Sequence, residues 1–234
     1  MKDEREFRSF LVLENLSYTG WSNEFCVPKE PLDFEGEKVI VKSHSEDKGN
    51  DFLDYEFLWE TKREIVSEVL DAHSGEIYYE KNYINKVAQI SVWIYRDLPI
   101  WIVFIKGTTA NKVIHLLNDY FPECKLSRVI FKDRFFNLLL NSSNQIYSLQ
   151  TTMKSESTEQ EFSISGYLDR SNYSLTDGYI TELQIEAPAV GIRAKLHYTG
   201  RVALYNTPHR RQVDEFIQML GRIMIESQSL RGDY

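Results

Sequence analysis

The segment from Ile192 to Met224 constrains the fold most, because it carries a complete strand, turn, strand and helix pattern. Residues 192–198 alternate apolar and polar side chains, which is typical of a strand with one buried face. Thr199 and Gly200 predict a tight turn, and residues 201–205 predict the returning strand. The segment therefore predicts an antiparallel hairpin that leads directly into a helix.

The predicted helix has a recognisable start and one apolar stripe. Thr207 suits the N-cap position and Pro208 suits the first helical position. The apolar stripe at helical spacing consists of Val213, Phe216, Ile217, Leu220, Ile223 and Met224. We expect this stripe to pack against the hairpin.

A second segment, about 100 residues earlier, has the same plan. Residues 89–95 and 100–106 predict two strands, and a helix follows around Val113, which corresponds to Val213. The residue identities of the two segments barely match. The sequence leaves open a duplicated unit and a coincidence of two common hairpin–helix units.

The rest of the second half consists mainly of short apolar or alternating runs. Strands are predicted at 127–132, 135–140, 146–150, 162–168 and 179–186, with a polar loop at 151–160. Strands followed by a helix differ from the β-α-β alternation of nucleotide-binding sheets. The predicted fold class is α+β: an antiparallel sheet backed by long helices, with a tandem sheet–helix repeat as one interpretation.

At the level of architecture, the repeated pattern resembles the half-repeats of the saddle-shaped TATA-binding-protein-like fold, over roughly residues 76–230. The resemblance implies a curved antiparallel sheet that is backed twice by a long helix. It implies nothing about function, because one fold supports many functions.

The first third is irregular. Strands are predicted at 7–16 and 38–43, and residues 54–73 predict a helix. The apolar residues near one face of that helix are Leu58, Ile65, Val66, Val69 and Leu70. We therefore divide the chain into an acidic N-terminal portion, 1–75, and a sheet–helix region, 76–234. The sequence also allows one continuous domain.

Charge is distributed unevenly. Residues 1–80 contain 9 Lys and Arg against 20 Asp and Glu, whereas residues 81–150 contain 9 against 4. The whole chain has a net charge of −8. Proteins that coat nucleic acid without specificity are usually basic throughout, so nucleic-acid binding here would need a local patch.

Basic residues are concentrated in three places. They are Lys125, Arg128, Lys132 and Arg134; then Arg193, Lys195 and Arg201; then Arg210 and Arg211. In the first group Phe131, Phe135 and Phe136 are interleaved, a pattern that suits phosphate contact with base stacking. The alternative is that these cations form the solvated face of an amphipathic sheet.

Catalytic motifs are absent from the sequence. It has no GxxxxGK[ST], GxGxxG, GxSxG or HExxH pattern, and its histidines have no metal-ligand spacing. The weak candidates for a metal-dependent nuclease are Asp169 and Glu182, with Lys195 as the cation that polarises the phosphate. We expect no cofactor and no metal.

The sequence favours a non-enzymatic binding or scaffolding subunit that assembles with a protein partner. The setting could be a nucleic-acid-processing complex or a complex for defence against phage. Nucleic-acid binding through the basic patch and a nuclease activity are the alternatives, and a homo-oligomer stays open. The charged start MKDEREFRSF lacks a signal-peptide pattern and no apolar run approaches about 20 residues, which favours a cytoplasmic protein without a membrane span.

Overall fold

A computed structural model gives the fold of residues 7–17, 28, 30–44, 52–105, 110–141, 147–155, 161–165 and 179–229. The chain divides into two compact units. We call Asn23–Trp93 the arm unit, and Met1–Ser22 together with Ile94–Tyr234 the core unit. The division expected from the sequence, after residue 75, falls inside the arm unit.

Four antiparallel strands form the described part of the arm unit, in the spatial order β2-β3-β4-β5. They are β2 (Leu32–Phe34), β3 (Glu37–Ser43), β4 (Phe52–Leu70) and β5 (Ile77–Tyr95), whose last two residues belong to the core unit. β2 and β3 are joined by Glu35 and Gly36, which both have positive φ angles, as a two-residue hairpin turn requires. β3, predicted at 38–43, is confirmed.

The predicted helix at 54–73 is wrong, because this segment forms β4. β3 pairs with Tyr55 to Trp59, and this pairing buries Tyr55, Phe57 and Trp59, which lie two residues apart. A spacing of two is the period of a strand, and neighbouring strands can override a local helical pattern. The helical stripe seen in the sequence is therefore a coincidence of apolar content.

Beyond Trp59, β4 and β5 continue as a two-stranded ribbon, which we call the β-arm: Glu60–Leu70, the loop 71–76 and Ile77–Val87. No side chain described in the β-arm is buried. Asp71 closes the loop by accepting hydrogen bonds from the backbone N–H groups of His73 (2.8 Å) and Ser74 (3.4 Å). The first of these bonds is the main reason that the pKa of Asp71 is lowered.

The core unit combines a larger sheet with three helices in its described part. Its strands are β1 (Ser9–Asn15), β6 (Ile100–Phe104), β7 (Leu126–Arg128), β8 (Tyr147–Lys154), β9 (Glu161–Ser165), β10 (Tyr179–Ala187), β11 (Ile192–His197) and β12 (Arg201–Leu204). Its helices are α1 (Ala110–Tyr120), α2 (Asp133–Asn141) and α3 (Arg210–Ser229). The strand order is β6-β1-β12-β11-β10-β8-β9, and β7 pairs with the end of β1 that β12 leaves free.

One face of this sheet is covered by helices. α2 packs against β10, and α3 packs against β11 and α2. α3 also approaches the segment before β6 closely, because a Cβ on Gly221 would lie 2.6 Å from the Leu98 side chain. The α3 stripe predicted from the sequence is buried, with Phe216 and Ile217 fully enclosed. This buried face fixes which side chains of the sheet point away from the helices.

The hairpin and helix at 192–229 are confirmed, with two corrections at the helix start. α3 begins at Arg210, so Thr207 and Pro208 lie before it. His209 takes the N-cap position, since its carbonyl accepts the Val213 N–H. The Gln212 side chain accepts the His209 N–H at 2.9 Å, which is the reciprocal bond of a capping box.

The broad α+β class is confirmed, but the tandem repeat and the pair of long helices are wrong. α1 has 11 residues against 20 for α3, and β5 has 19 residues against 6 for β11. The first strand and the helix of the two segments therefore differ strongly in length, which a tandem repeat does not allow. The TATA-binding-protein-like arrangement depends on that repeat and is therefore also wrong.

Several shorter predictions also need correction. Residues 135–140 form most of α2, because Phe135, Phe136 and Leu139 lie on one helical face and are all buried. Of the strand predicted at 127–132, only Ser127 and Arg128 lie in β7, which begins at Leu126. β8 continues to Lys154, into the predicted polar loop. β1, β6, β10 and α1 agree with the predictions.

Two further features of the core unit bear on its chemistry. Cys124 is a free thiol, and burial raises its pKa to about 11. A pKa in that range leaves little thiolate at neutral pH, which suits a structural cysteine. In the part of the chain that the structure describes, no helix is both long and apolar enough to cross a membrane.

Candidate functional site

The polar face of the core-unit sheet carries most of the residues that the sequence singled out. From Thr181 to Ala187 on β10 and along β11, every second side chain is buried, and the others point away from α2 and α3. The outward side chains are Glu182, Gln184 and Glu186 on β10 and Arg193, Lys195 and His197 on β11. An acidic strand therefore lies beside a basic one.

The two strands neutralise each other in part. Lys195 Nζ lies 3.1 Å from Glu182 Oε2, and Arg193 Nη2 lies 3.6 Å from Glu186 Oε2. Arg193 and Glu186 are directly opposite in the strand register. Cross-strand pairs of this kind stabilise a sheet modestly, because both charges keep contact with water.

A concavity of about 520 Å³ opens at one end of this face. The polar residues around it come from five strands and the turn after β11: Ser9, Arg128, Glu182, Lys195, His197, Thr199 and Arg201. Arg128 donates a hydrogen bond to Asn111 Oδ1 at 2.7 Å. Arg201 is exposed and forms no ion pair with the other described residues. The concavity thus holds three cations and one carboxylate.

His197 is held neutral within this concavity. Burial lowers its pKa, and the nearby Lys195 and Arg201 lower it further, while Glu182 acts in the opposite direction. Its Nδ1 accepts the backbone N–H of Thr199 at 3.3 Å and lies 2.7 Å from the Thr199 hydroxyl. An imidazole whose Nδ1 accepts a hydrogen bond is neutral and carries its proton on Nε2.

The remaining predicted cations lie elsewhere. Lys132 and Arg134 line a separate concavity of about 270 Å³, and Lys125 is exposed beside β7. Arg211 pairs with Glu215 at 2.9 Å, one turn along α3. Of the predicted basic set, the structure brings together Arg128, Lys195 and Arg201 at one concavity.

The interleaved phenylalanines have a structural role. Phe131, Phe135 and Phe136 are buried, and the rings of Phe131 and Phe135 stack with centroids 4.2 Å apart. Buried rings cannot stack on exposed bases, so the expected combination of phosphate contact and base stacking is wrong for these three residues. Their spacing served the packing of α2 against the sheet.

The weak catalytic set is not assembled in the described residues. Glu182 and Lys195 form an ion pair, and Asp169 lies outside the described residues. Among the residues that the structure describes, no three His, Cys, Asp or Glu side chains come together as metal ligands. The nuclease alternative therefore rests on sequence spacing alone.

The β-arm is the surface that sequence reasoning missed. Glu64 pairs with Lys81 at 2.8 Å and Glu60 accepts a hydrogen bond from Asn85 at 2.9 Å, which places even-numbered residues of β4 and odd-numbered residues of β5 on one face. The large exposed apolar side chains of this face are Val66, Leu70, Ile77, Tyr79, Tyr83 and Val87. We call it the Tyr79 face.

The opposite face, which we call the Tyr78 face, is less apolar. Its large exposed apolar side chains are Ile65, Tyr78 and Ile84. A signal for the arm was present in the sequence, since residues 77–87 are rich in tyrosine and isoleucine and follow Ser74-Gly75. β-branched and aromatic residues after a turn dipeptide predict a hairpin.

The chain matches no protein-family model, and a search of curated proteins returns no match either. The polar face of the core-unit sheet and the Tyr79 face are therefore the surfaces from which a function can be inferred.

Proposed function

We propose that this protein is a non-enzymatic binding subunit, and that it attaches to a protein partner through the Tyr79 face of the β-arm. The observation that supports this most directly is the exposure of the arm: Tyr79 is 68% exposed and Leu70 is 65% exposed. Contiguous apolar surface of this kind is typical of interaction sites.

The stability of a ribbon supports the same proposal. A two-stranded hairpin is at best marginally stable in water, because it has no core of its own. The contacts described within the arm are polar and at the surface, such as the hydrogen bond from the Thr61 hydroxyl to the Lys86 carbonyl at 3.1 Å. A partner that covers one face supplies the missing apolar contacts.

Paired variants in the native host provide the test. We would purify the full chain and its bound proteins for the wild type, for Leu70→Ser with Tyr79→Ser, and for Tyr78→Ser. Tyr78 is the matched control, because it is the neighbouring tyrosine, is 51% exposed and lies on the other face. The expected result is that the double variant loses its bound protein and the Tyr78→Ser variant keeps it.

Equal recovery of the same proteins with all three chains would contradict the proposal. A circular dichroism spectrum and a thermal unfolding curve for each variant separate loss of binding from loss of folding. Because Leu70 and Tyr79 are exposed, we expect both measurements to stay close to those of the wild type.

Anion binding at the core-unit concavity is the second candidate function. It is supported by the convergence of Arg128, Lys195 and Arg201, and nucleic-acid phosphate is the ligand class that the sequence suggested. The ion pair between Lys195 and Glu182 weighs against strong binding, because Glu182 already offsets one cation.

A salt titration tests this second function. Binding to a labelled duplex and a labelled single strand should weaken with salt, and Arg128→Gln with Arg201→Gln should reduce the salt dependence. Arg222→Gln is the control, since Arg222 is exposed on α3 and does not line the concavity. Binding that is insensitive to salt, or equally sensitive in both variants, would rule out this site.

A further inference from the structure

We infer that the partner on the Tyr79 face is a second copy of this chain, packed antiparallel so that the tip of each β-arm lies on the base of the other. This inference rests on the proposed function and names the occupant of the same surface. It follows from the way in which charge and apolar side chains are distributed along the arm.

The β-arm is divided into an acidic tip and a basic base. The tip, residues 67–80, contains four acidic residues, Glu68, Asp71, Glu76 and Glu80, and no Lys or Arg. The base, residues 60–66 and 81–87, contains four Lys and Arg against two Glu. On the Tyr79 face itself the tip carries Glu68, whereas the base carries Lys62 and Lys81 beside Glu60 and Glu64. An antiparallel arrangement brings Glu68 of each copy to the end of the partner's arm that holds the lysines.

The same arrangement matches individual residues. On the Tyr79 face, β4 presents Glu60, Lys62, Glu64, Val66, Glu68 and Leu70 in order along the strand. A two-fold axis beside Ile65, at the middle of this series, places Glu68 of one copy opposite Lys62 of the other. Neither side chain forms an ion pair with another described residue, and both are exposed.

β5 supplies apolar contacts in the same alignment. Its residues on the Tyr79 face run from Ile77 to Val87, and the middle of this series lies beside Asn82. The axis therefore places Ile77 of one copy opposite Val87 of the other. These side chains are both 61% exposed in the single chain. Each occurs twice in a symmetric pair, so four apolar side chains lose exposure together.

The dimensions of the arm limit the affinity. Eleven residues at about 3.3 Å each give a length of about 35 Å, and two strands give a width of about 10 Å. One face then offers about 350 Å² per copy, which is less than a stable specific interface buries and fits a weak, transient dimer. We expect a dimer with a dissociation constant in the micromolar range.

A charge-swap series measured by analytical ultracentrifugation tests the pairing. The full chain is studied as wild type, Glu68→Lys, Lys62→Glu and the double variant, over concentrations that span micromolar dissociation. Each single change sets like charges against each other at two places in the dimer, and we expect the dissociation constant to rise at least about tenfold. The double variant exchanges the two charges, so we expect it to return to within about threefold of the wild-type value.

The series also separates this inference from the proposed function. A wild type that stays monomeric throughout, or a dimer that tolerates both single changes, would overturn the antiparallel pairing; so would single defects that the double variant does not repair. In any of these cases the purification with Leu70→Ser and Tyr79→Ser still decides whether the arm binds a different protein. If that purification also shows no difference, the proposed function fails with the inference.

Discussion

Two strands that are both rich in isoleucine and aromatic residues have opposite surroundings in this protein. β6 reads IWIVF, and four of its five residues are buried. The β5 part of the β-arm begins IYYEKNYI, and all eight of these residues are exposed. β6 is paired with β1 and lies in a unit with three described helices, whereas the β-arm consists of two strands only. Apolar content marks both as strands, but the number of neighbours decides which of them is buried.

The largest expected difference between the two regions is the loss of stability when an aromatic side chain is truncated to alanine. Phe216→Ala in α3 should destabilise the protein by about 3–5 kcal/mol, because the ring is fully buried and leaves a cavity. Tyr79→Ala in the β-arm should change the free energy of unfolding by less than about 0.5 kcal/mol. Chemical denaturation at a low protein concentration measures both.

That comparison would break if Tyr79→Ala cost as much as Phe216→Ala at low concentration. Such a result would mean that the arm is packed within the single chain. A cost for Tyr79→Ala that appears only at high concentration would instead sharpen the comparison, since it would place the tyrosine in an interface.

Two turn glycines give the next largest difference. Gly200 and Gly75 have similar φ angles, +78° and +71°, so alanine is strained at both positions. At Gly200 an added Cβ would also lie 2.7 Å from the Val129 carbonyl oxygen, while at Gly75 nothing lies within 4 Å. We expect Gly200→Ala to cost about 2–4 kcal/mol and Gly75→Ala about 1 kcal/mol.

Thermal unfolding of the two glycine variants checks this expectation. The two glycines have similar φ angles, so backbone strain is similar in both variants. The difference between their losses of stability therefore reports the crowding around each turn. Equal melting temperatures would contradict the contrast between the enclosed core turn and the open arm tip.

The smallest expected effect concerns the pH dependence of the core unit. The folded-state pKa of His197 lies below its ordinary value of 6.5, mainly because of burial. The unfolded chain then binds more protons, so stability is greatest above that value and decreases as the pH falls through it. In His197→Gln the decrease between about pH 7 and pH 5 should be smaller, as measured by denaturation at each pH.

The β-arm supplies the control for that pH series. His73 lies in the exposed loop 71–76, so His73→Gln is the control that also replaces one imidazole by an amide. The same pH dependence in the wild type and in both variants would show that another group is responsible for it.

The elements that the sequence predicted correctly are those whose local pattern and tertiary surroundings agree. β10, β11, β12 and α3 alternate or repeat with the period of the structure that they form. The predictions for α2 and β4 were wrong because their apolar residues fit both the helical and the strand period. Only contacts with the neighbouring elements decide between the two periods. Of the candidate site, the cations were identified, but the ion pairs of Lys195 and Arg193 depend on the register of β10 with β11.

The sequence by itself determined the α+β class, the hairpin that leads into α3, the apolar stripe of that helix and the absence of common catalytic motifs. These are local properties, fixed by side-chain period and by turn chemistry within a few residues. The tertiary structure decided that residues 54–70 are extended, that the three phenylalanines near Arg134 are buried, and that Arg128 and Arg201 meet at one concavity. Those outcomes depend on contacts between residues far apart in the chain, and no local pattern encodes which strands become neighbours.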